Sequence, residues 1–89
     1  MRIIPIWKQA VNLSQLAKNA TAQVLGVKSN SADDVIAQRL LDLGFVAGER
    51  VTCINLAPFG GDPMLVQIGY TRFALRKVDA ARVQVEVVL

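Results

Sequence analysis

The chain has 89 residues, 53% hydrophobic and 19% charged, with ten Lys and Arg against seven Asp and Glu for a formal net charge of +3. That length holds one small domain with a single core, and so apolar a composition excludes intrinsic disorder. The small charge gives no indication of nucleic acid, and the absence of histidine removes the commonest general base and metal ligand.

No apolar run approaches the roughly 18 residues of a membrane-spanning helix, because Pro, Lys or Arg interrupts every candidate. The start, Met1 to Trp7, has no sustained apolar region and does not read as a signal peptide. Cys53 is the single cysteine, so an internal disulfide is excluded; this fits a reducing compartment, and a cytoplasmic location is expected. The charges are unevenly spread. Residues 1–32 carry Arg2, Lys8, Lys18 and Lys28 and no acid, the middle is acidic on balance, and the C-terminal part is basic again. A dispersed solvated surface accounts for this; the sharper reading is a basic face that meets an acidic protein or the inner membrane surface.

Residues 1–12 read as an N-terminal extension and residues 13–89 as the domain. Within the extension, Ile3, Ile4, Ile6 and Trp7 fit packing on the domain, exchange between protomers of a homo-oligomer, or contact with lipid beside Arg2 and Lys8. Leu13 to Leu16 reads as a short turn. Thr21 to Val27 alternates with β-branched content and predicts a first strand. Ser31 followed by Asp34 predicts an N-cap and a helix from Ala32 to Leu43, with Val35, Ile36, Leu40 and Leu43 on its buried side and Asp33, Gln38 and Asp42 outside. Gly44 stands where a left-handed residue ends a helix, and Phe45 then folds back onto Leu40.

After Glu49 the chain reads as sheet. Arg50 to Ala57 is apolar on nearly both faces and predicts a central strand. Pro58 to Pro63 is a turn, with two prolines bracketing Gly60 and Gly61. Met64 to Ile68 is a strand, Gly69-Tyr70-Thr71 a tight hairpin, and Arg72 to Arg76 a strand with Phe73 and Leu75 inward and both arginines outward. Val78 to Ala81 reads as one helical turn, and Val83 to Val87 as a last strand of strict period two. About five short strands joined by tight turns imply a mainly β fold, a small SH3-like barrel with one helix between the first and second strands, because closure leaves few exposed edges.

Arg39-Leu40-Leu41-Asp42-Leu43-Gly44-Phe45, then Gly48, then Ala57-Pro58-Phe59-Gly60-Gly61-Asp62-Pro63, then Arg72 to Arg76 and Val83 to Glu86 form an ordered set over roughly residues 13–88. The set closely resembles the FeoA family, small cytoplasmic proteins of bacterial ferrous-iron uptake. Two departures stand out: Ala47 replaces a frequent proline before Gly48, and the Phe59 to Asp62 tip carries one glycine more than the family's usual run. The resemblance implies an SH3-like fold, no catalysis, no cofactor, and a role assisting FeoB, a membrane transporter with a cytosolic G domain. Contact with the membrane would then be only through that partner.

The residues agree with a binding role. Without histidine, and with Cys53 read as a buried mid-strand thiol, neither a nucleophile system nor a high-affinity iron site is expected. Asp33 and Asp34 read as helix capping rather than metal ligation. Gly60-Gly61 precedes Asp62-Pro63 and not Lys-Ser/Thr, so it is not a phosphate loop. The candidate partner-binding residues are Leu40, Asp42, Gly44 and Phe45 at the helix end, Pro58, Phe59, Gly61 and Asp62 in the Pro/Gly loop, and Arg72 and Arg76 on the outward strand face. Each has a structural reading beside the functional one: core architecture, hairpin tip and solvated strand face. The alternative function is a small regulatory or nucleic-acid-binding barrel of the metal-sensor type, using Arg72, Arg76, Lys77 and Arg82; it is weakened by the low charge and the few aromatics available for stacking.

Overall fold

The computed structural model describes residues 10–58 and 60–88. Phe59 and the apolar residues Ile3, Ile4, Ile6 and Trp7 lie outside the described residues. Strand β1 spans Ala10–Asn12 and is followed by a 3-10 turn at Leu13–Gln15; β2 spans Thr21–Val27, α1 Val35–Leu43, β3 Arg50–Leu56, β4 Met64–Ile68, β5 Thr71–Leu75, α2 Lys77–Ala80 and β6 Val83–Val88. The protein is mainly β. Its antiparallel sheet has six strands in the order β1-β6-β2-β3-β4-β5, one more than the sequence periodicity predicts.

The added strand is β1, too short for periodicity to reveal. It pairs with β6 through Ala10↔Glu86, Val11↔Val85 and Asn12↔Gln84. The 3-10 turn behind it is capped reciprocally: Asn12 Oδ1 accepts from Ser14 N–H at 3.0 Å, and Gln15 Oε1 accepts from Asn12 N–H at 3.1 Å. With β1 counted, α1 lies between the second and third strands. Strand β3 is interior to the sheet as expected, between β2 and β4.

Alternate residues of the strands face one core. Ala22 and Val24 of β2, Val51 and Cys53 of β3, Met64, Val66 and Ile68 of β4, and Val83 and Val85 of β6 are all buried. The register shifts between Val24 and Gly26 and again between Cys53 and Asn55. Such bulges add local twist, which lets a sheet of short strands curl around its core. Leu13, Leu40 and Phe45 enter the same core from outside the sheet. Burying a leucine, valine or phenylalanine stabilises by about 1.5–3 kcal/mol, so this cluster is the main source of stability in so small a chain.

Helix α1 departs from expectation at its start. It begins at Val35 and not at Ala32, and its N-cap is Asp34 and not Ser31. Asp34 Oδ1 accepts from Ala37 N–H at 3.0 Å, while its other oxygen takes Asn30 N–H at 2.9 Å and the guanidinium of Arg82. That tie to a residue 48 positions away fixes the first turn, and local sequence cannot announce it. Val35 is 76% exposed instead of buried, because it lies about 140° round the helix from Leu40. Ala37 takes the buried place beside Leu40.

The far end of α1 follows its sequence. Gly44 has φ +113° and ψ 5°, and its N–H reaches Leu41 O at 3.0 Å while Phe45 N–H reaches Leu40 O at 3.1 Å. These two bonds are a Schellman motif, and they turn the chain so that the Phe45 ring enters the core, tilted 46° to Phe73 with centroids 6.1 Å apart.

Candidate functional site

Of the ten residues singled out from sequence, the nine that are described fall into three places. Leu40 and Phe45 at the helix end are core residues, 2% and 0% exposed. Gly44 beside them is half-buried, with Ile68 Cγ2 3.6 Å from where a Cβ would sit. Asp42 is on the exposed helix flank and accepts from Gln38 Nε2 at 3.0 Å, an ordinary i, i+4 surface pair. It borders a shallow depression of roughly 620 Å³ on the outer side of α1, together with Asp33 and Val35.

The Pro/Gly loop lies against the start of α2. Its base closes through Ala57 N–H to Pro63 O at 3.1 Å. Asp62 Oδ1 accepts Lys77 N–H at 3.1 Å, which satisfies the first turn of α2, where Arg76 stands at the N-cap with no side-chain cap of its own. Gly61 has φ +72°, and a Cβ there would stand 3.3 Å from Lys77 Nζ and 3.5 Å from Leu56 Cβ. The positive φ favours glycine there, while the close approach involves only the flexible end of Lys77 and an ordinary contact with Leu56. Pro58 is exposed above a small cavity of about 230 Å³ that Pro63, Leu65 and Ala74 also line. Phe59, between them in sequence, lies outside the described residues.

The third place is a groove of roughly 530 Å³ between α1 and β5. One wall is the α1 stripe of Ile36, Arg39, Leu40 and Leu43, and the other runs along β5 from Arg72 to Arg76. Of the expected residues this groove unites Leu40, Arg72 and Arg76; Asp42, Gly44, Phe45, Pro58, Gly61 and Asp62 do not line it. Arg72 Nε donates to Gln67 Oε1 at 3.0 Å across the β4–β5 pair, and Arg76 is ion-paired with Asp79 at 3.0 Å. Both arginines are exposed, as expected, while Leu75 is buried and Phe73 half-buried. Sequence reasoning missed Arg39 as a member of this site. The signal was present in its spacing, three residues after Ile36 and four before Leu43.

Among the described residues there is no group of three or more His, Cys, Asp or Glu placed to hold a metal ion. Cys53 is fully buried, its thiol lies 3.7 Å from Asn55 O, and burial pushes its pKa up, which keeps it protonated and inert. Asp34 is the acid whose titration is clearly displaced. The N–H groups of Asn30 and Ala37, then the Arg82 guanidinium, hold its carboxyl well below the ordinary carboxylate range. All three partners are structural, so the displacement reflects capping and not catalysis. Among the described residues no helix is long and apolar enough to cross a membrane.

The sequence matches the FeoA domain family over residues 11–87, most of the chain and every strand but the first residue of β1 and the last of β6. The chain belongs to the FeoA family. It is similar to the FeoA of Stenotrophomonas maltophilia, described as a procaryotic SH3 domain protein complexed with zinc, at 49% identity and a TM-score of 0.78 over 84% of this chain and 88% of that one. It is also similar to a FeoA-like protein from Clostridium acetobutylicum at 26% identity, with a TM-score of 0.79 over 91% and 90% of the two chains. The fold is thus the SH3-like barrel that the spacing of short strands implies. A third relative is the Fe(2+) transport protein A/Fe(2+) transporter FeoB fusion protein of Porphyromonas gingivalis, 32% identical over 78 residues. That match takes in 88% of this chain but only 9% of the fusion protein's length.

Proposed function

We propose that this chain is a non-enzymatic accessory of bacterial ferrous-iron uptake, acting in the cytoplasm by binding the cytosolic part of a FeoB-type transporter. The observation that carries this reading is the Porphyromonas gingivalis protein, in which a relative of this chain is joined to FeoB in one polypeptide. Fusion keeps two modules at high effective concentration, an advantage only for modules that work together. The groove between α1 and β5 agrees with it, being a partly apolar surface with a charged rim.

An accessory of this kind shifts a transporter between states only by preferring one of them. The test is binding of the full chain to the transporter's soluble cytosolic domain, measured by calorimetry in the apo, GDP-bound and GTP-analogue states. Binding that differs between states is the expected result. No binding in any state refutes docking on that domain. The nucleic-acid alternative has less behind it, because Arg76 and Arg82 are already committed to Asp79 and Asp34.

A further inference from the structure

We propose that the groove between α1 and the outer edge of β5 takes an extended, acidic segment of another protein, added as a further strand with its apolar side chains against α1. The proposal rests on the docking reading above and adds to it the surface and the partner's chemistry.

Strand β5 is at the end of the sheet order, and among the described residues it pairs with β4 alone. The β4–β5 hairpin turns on two residues, Gly69 with φ +59° and Tyr70 outside the positive-φ region, which is the type II′ pattern. That turn makes Ile68 and Thr71 a hydrogen-bonded pair. By alternation Val66 with Phe73 and Met64 with Leu75 are bonded pairs as well. The backbone groups of Thr71, Phe73 and Leu75 therefore face β4, and those of Arg72 and Ala74 face outward. An edge that offers its N–H and C=O groups in this way is a template for strand addition.

The groove follows that edge. It touches every residue from Arg72 to Arg76, and successive strand side chains point to opposite faces. A groove bordering all of them fits one that runs along the strand's side rather than over a single face. Across it stands one stripe of α1, with half-buried Ile36 and Leu43 supplying apolar surface above the buried Leu40. An added strand would thus find backbone partners on one side and an apolar wall on the other. The volume is within the ordinary range for binding sites, about 300–1,000 Å³.

Charge selects the occupant. Arg39 rises from the helix wall, and Arg72 and Arg76 from the strand. Asp79 is the acid lining the groove and is already paired with Arg76. Arg72 is bonded to the neutral Gln67 amide, and among the described residues Arg39 has no acidic partner. Arg39 also borders the depression on the outer side of α1 with Asp33 and Asp42, so the positive charge inside the groove that meets no acid there is chiefly that of Arg72, with Arg39 at the helix edge. Residues 1–9 of this chain carry Arg2 and Lys8 and no acid, so their charge opposes entry. A second copy pairing β5 to β5 about a two-fold axis would bring the same arginines together across the new ladder. An acidic segment alternating with apolar residues meets both requirements.

The probe is an acetylated, amidated heptapeptide alternating glutamate with valine, titrated into the isotope-labelled full chain. Amide shifts should concentrate at Ile36 to Leu43 and Thr71 to Arg76, and hydrogen exchange should slow at the Arg72 and Ala74 amides. A peptide with lysine in place of glutamate should not bind. The double variant Arg39→Glu, Arg72→Glu, with both changes at exposed positions, should weaken binding about tenfold or more. Shifts elsewhere, unchanged exchange at Arg72 and Ala74, equal binding of the lysine peptide, or no shifts at all would overturn the proposal. The transporter's cytosolic domain provides a separate arm. If it binds and leaves Arg72 and Ala74 unprotected, docking stands and the groove assignment falls; if the peptide binds in the groove and the domain does not bind, the groove stands and the transporter falls as partner.

Discussion

Replacing Gly44 by alanine tests how the joint between α1 and the sheet is held. Gly44 sits at φ +113°, and a Cβ added there would meet Ile68 Cγ2 at 3.6 Å, an ordinary van der Waals separation. Steric crowding therefore contributes little, and the penalty is that of forcing an L-residue into left-handed backbone, about 1–2 kcal/mol. For a domain of this size each kcal/mol lowers Tm by roughly 4–8 °C, so Gly44→Ala should melt about 4–16 °C lower. In urea the midpoint should fall while the m-value stays constant, because the surface exposed on unfolding is unchanged. Gly44→Asn should lose less, since asparagine visits left-handed backbone more readily. The measurement is thermal and urea unfolding followed by circular dichroism on all three proteins. An alanine variant as stable as the parent would refute the argument, because the Schellman bonds to Leu40 and Leu41 would then not depend on glycine. An asparagine variant worse than alanine would place the penalty in crowding against Ile68 instead.

Phe45→Ala removes a fully buried ring and its contact with Phe73, and should destabilise by about 3–5 kcal/mol, a large part of the 5–15 kcal/mol typical of a small domain; urea unfolding checks it, and a near-parental midpoint contradicts it. Leu40→Gln places an amide in the core beside Phe45 and should abolish cooperative unfolding and support of iron uptake together, whereas Leu40→Met should keep both; a folded Leu40→Gln protein that sustains uptake in a complementation assay would disprove this. The Asp34 carboxyl is held below its ordinary value in the folded chain, so its contribution to stability is complete above about pH 4 and declines as pH falls toward the folded value. Asp34→Asn should thus show a flatter acid limb in Tm against pH, and an unchanged limb would count against the capping account. Cys53 should react with an aromatic disulfide reagent only at the rate of global opening, accelerating with urea in step with unfolding; rapid labelling of native protein would contradict its burial.

Elements whose signals are local were legible in the chain alone. Thr21 to Val27, Arg50 to Ala57, Met64 to Ile68 and Val83 onward read as strands because side-chain alternation is a property of neighbouring residues, and the structure ends the second of these at Leu56. Gly44 ended its helix and Gly69 turned its hairpin because left-handed backbone favours glycine wherever the chain places it. Tertiary structure decided everything that depends on partners distant in the chain. Strand β1 exists through pairing with β6, Asp34 at the N-cap of α1 is held also by the distant Arg82, and the insertion of β6 between β1 and β2 is invisible to any periodicity. The candidate site divides along the same line. Arg72 and Arg76 were legible from strand alternation, and Leu40 from its helical stripe. That Arg39 joins them across one groove, while Asp62 caps α2 instead, follows only from how the sheet curls, since curvature is set by bulges and packing summed over all the strands.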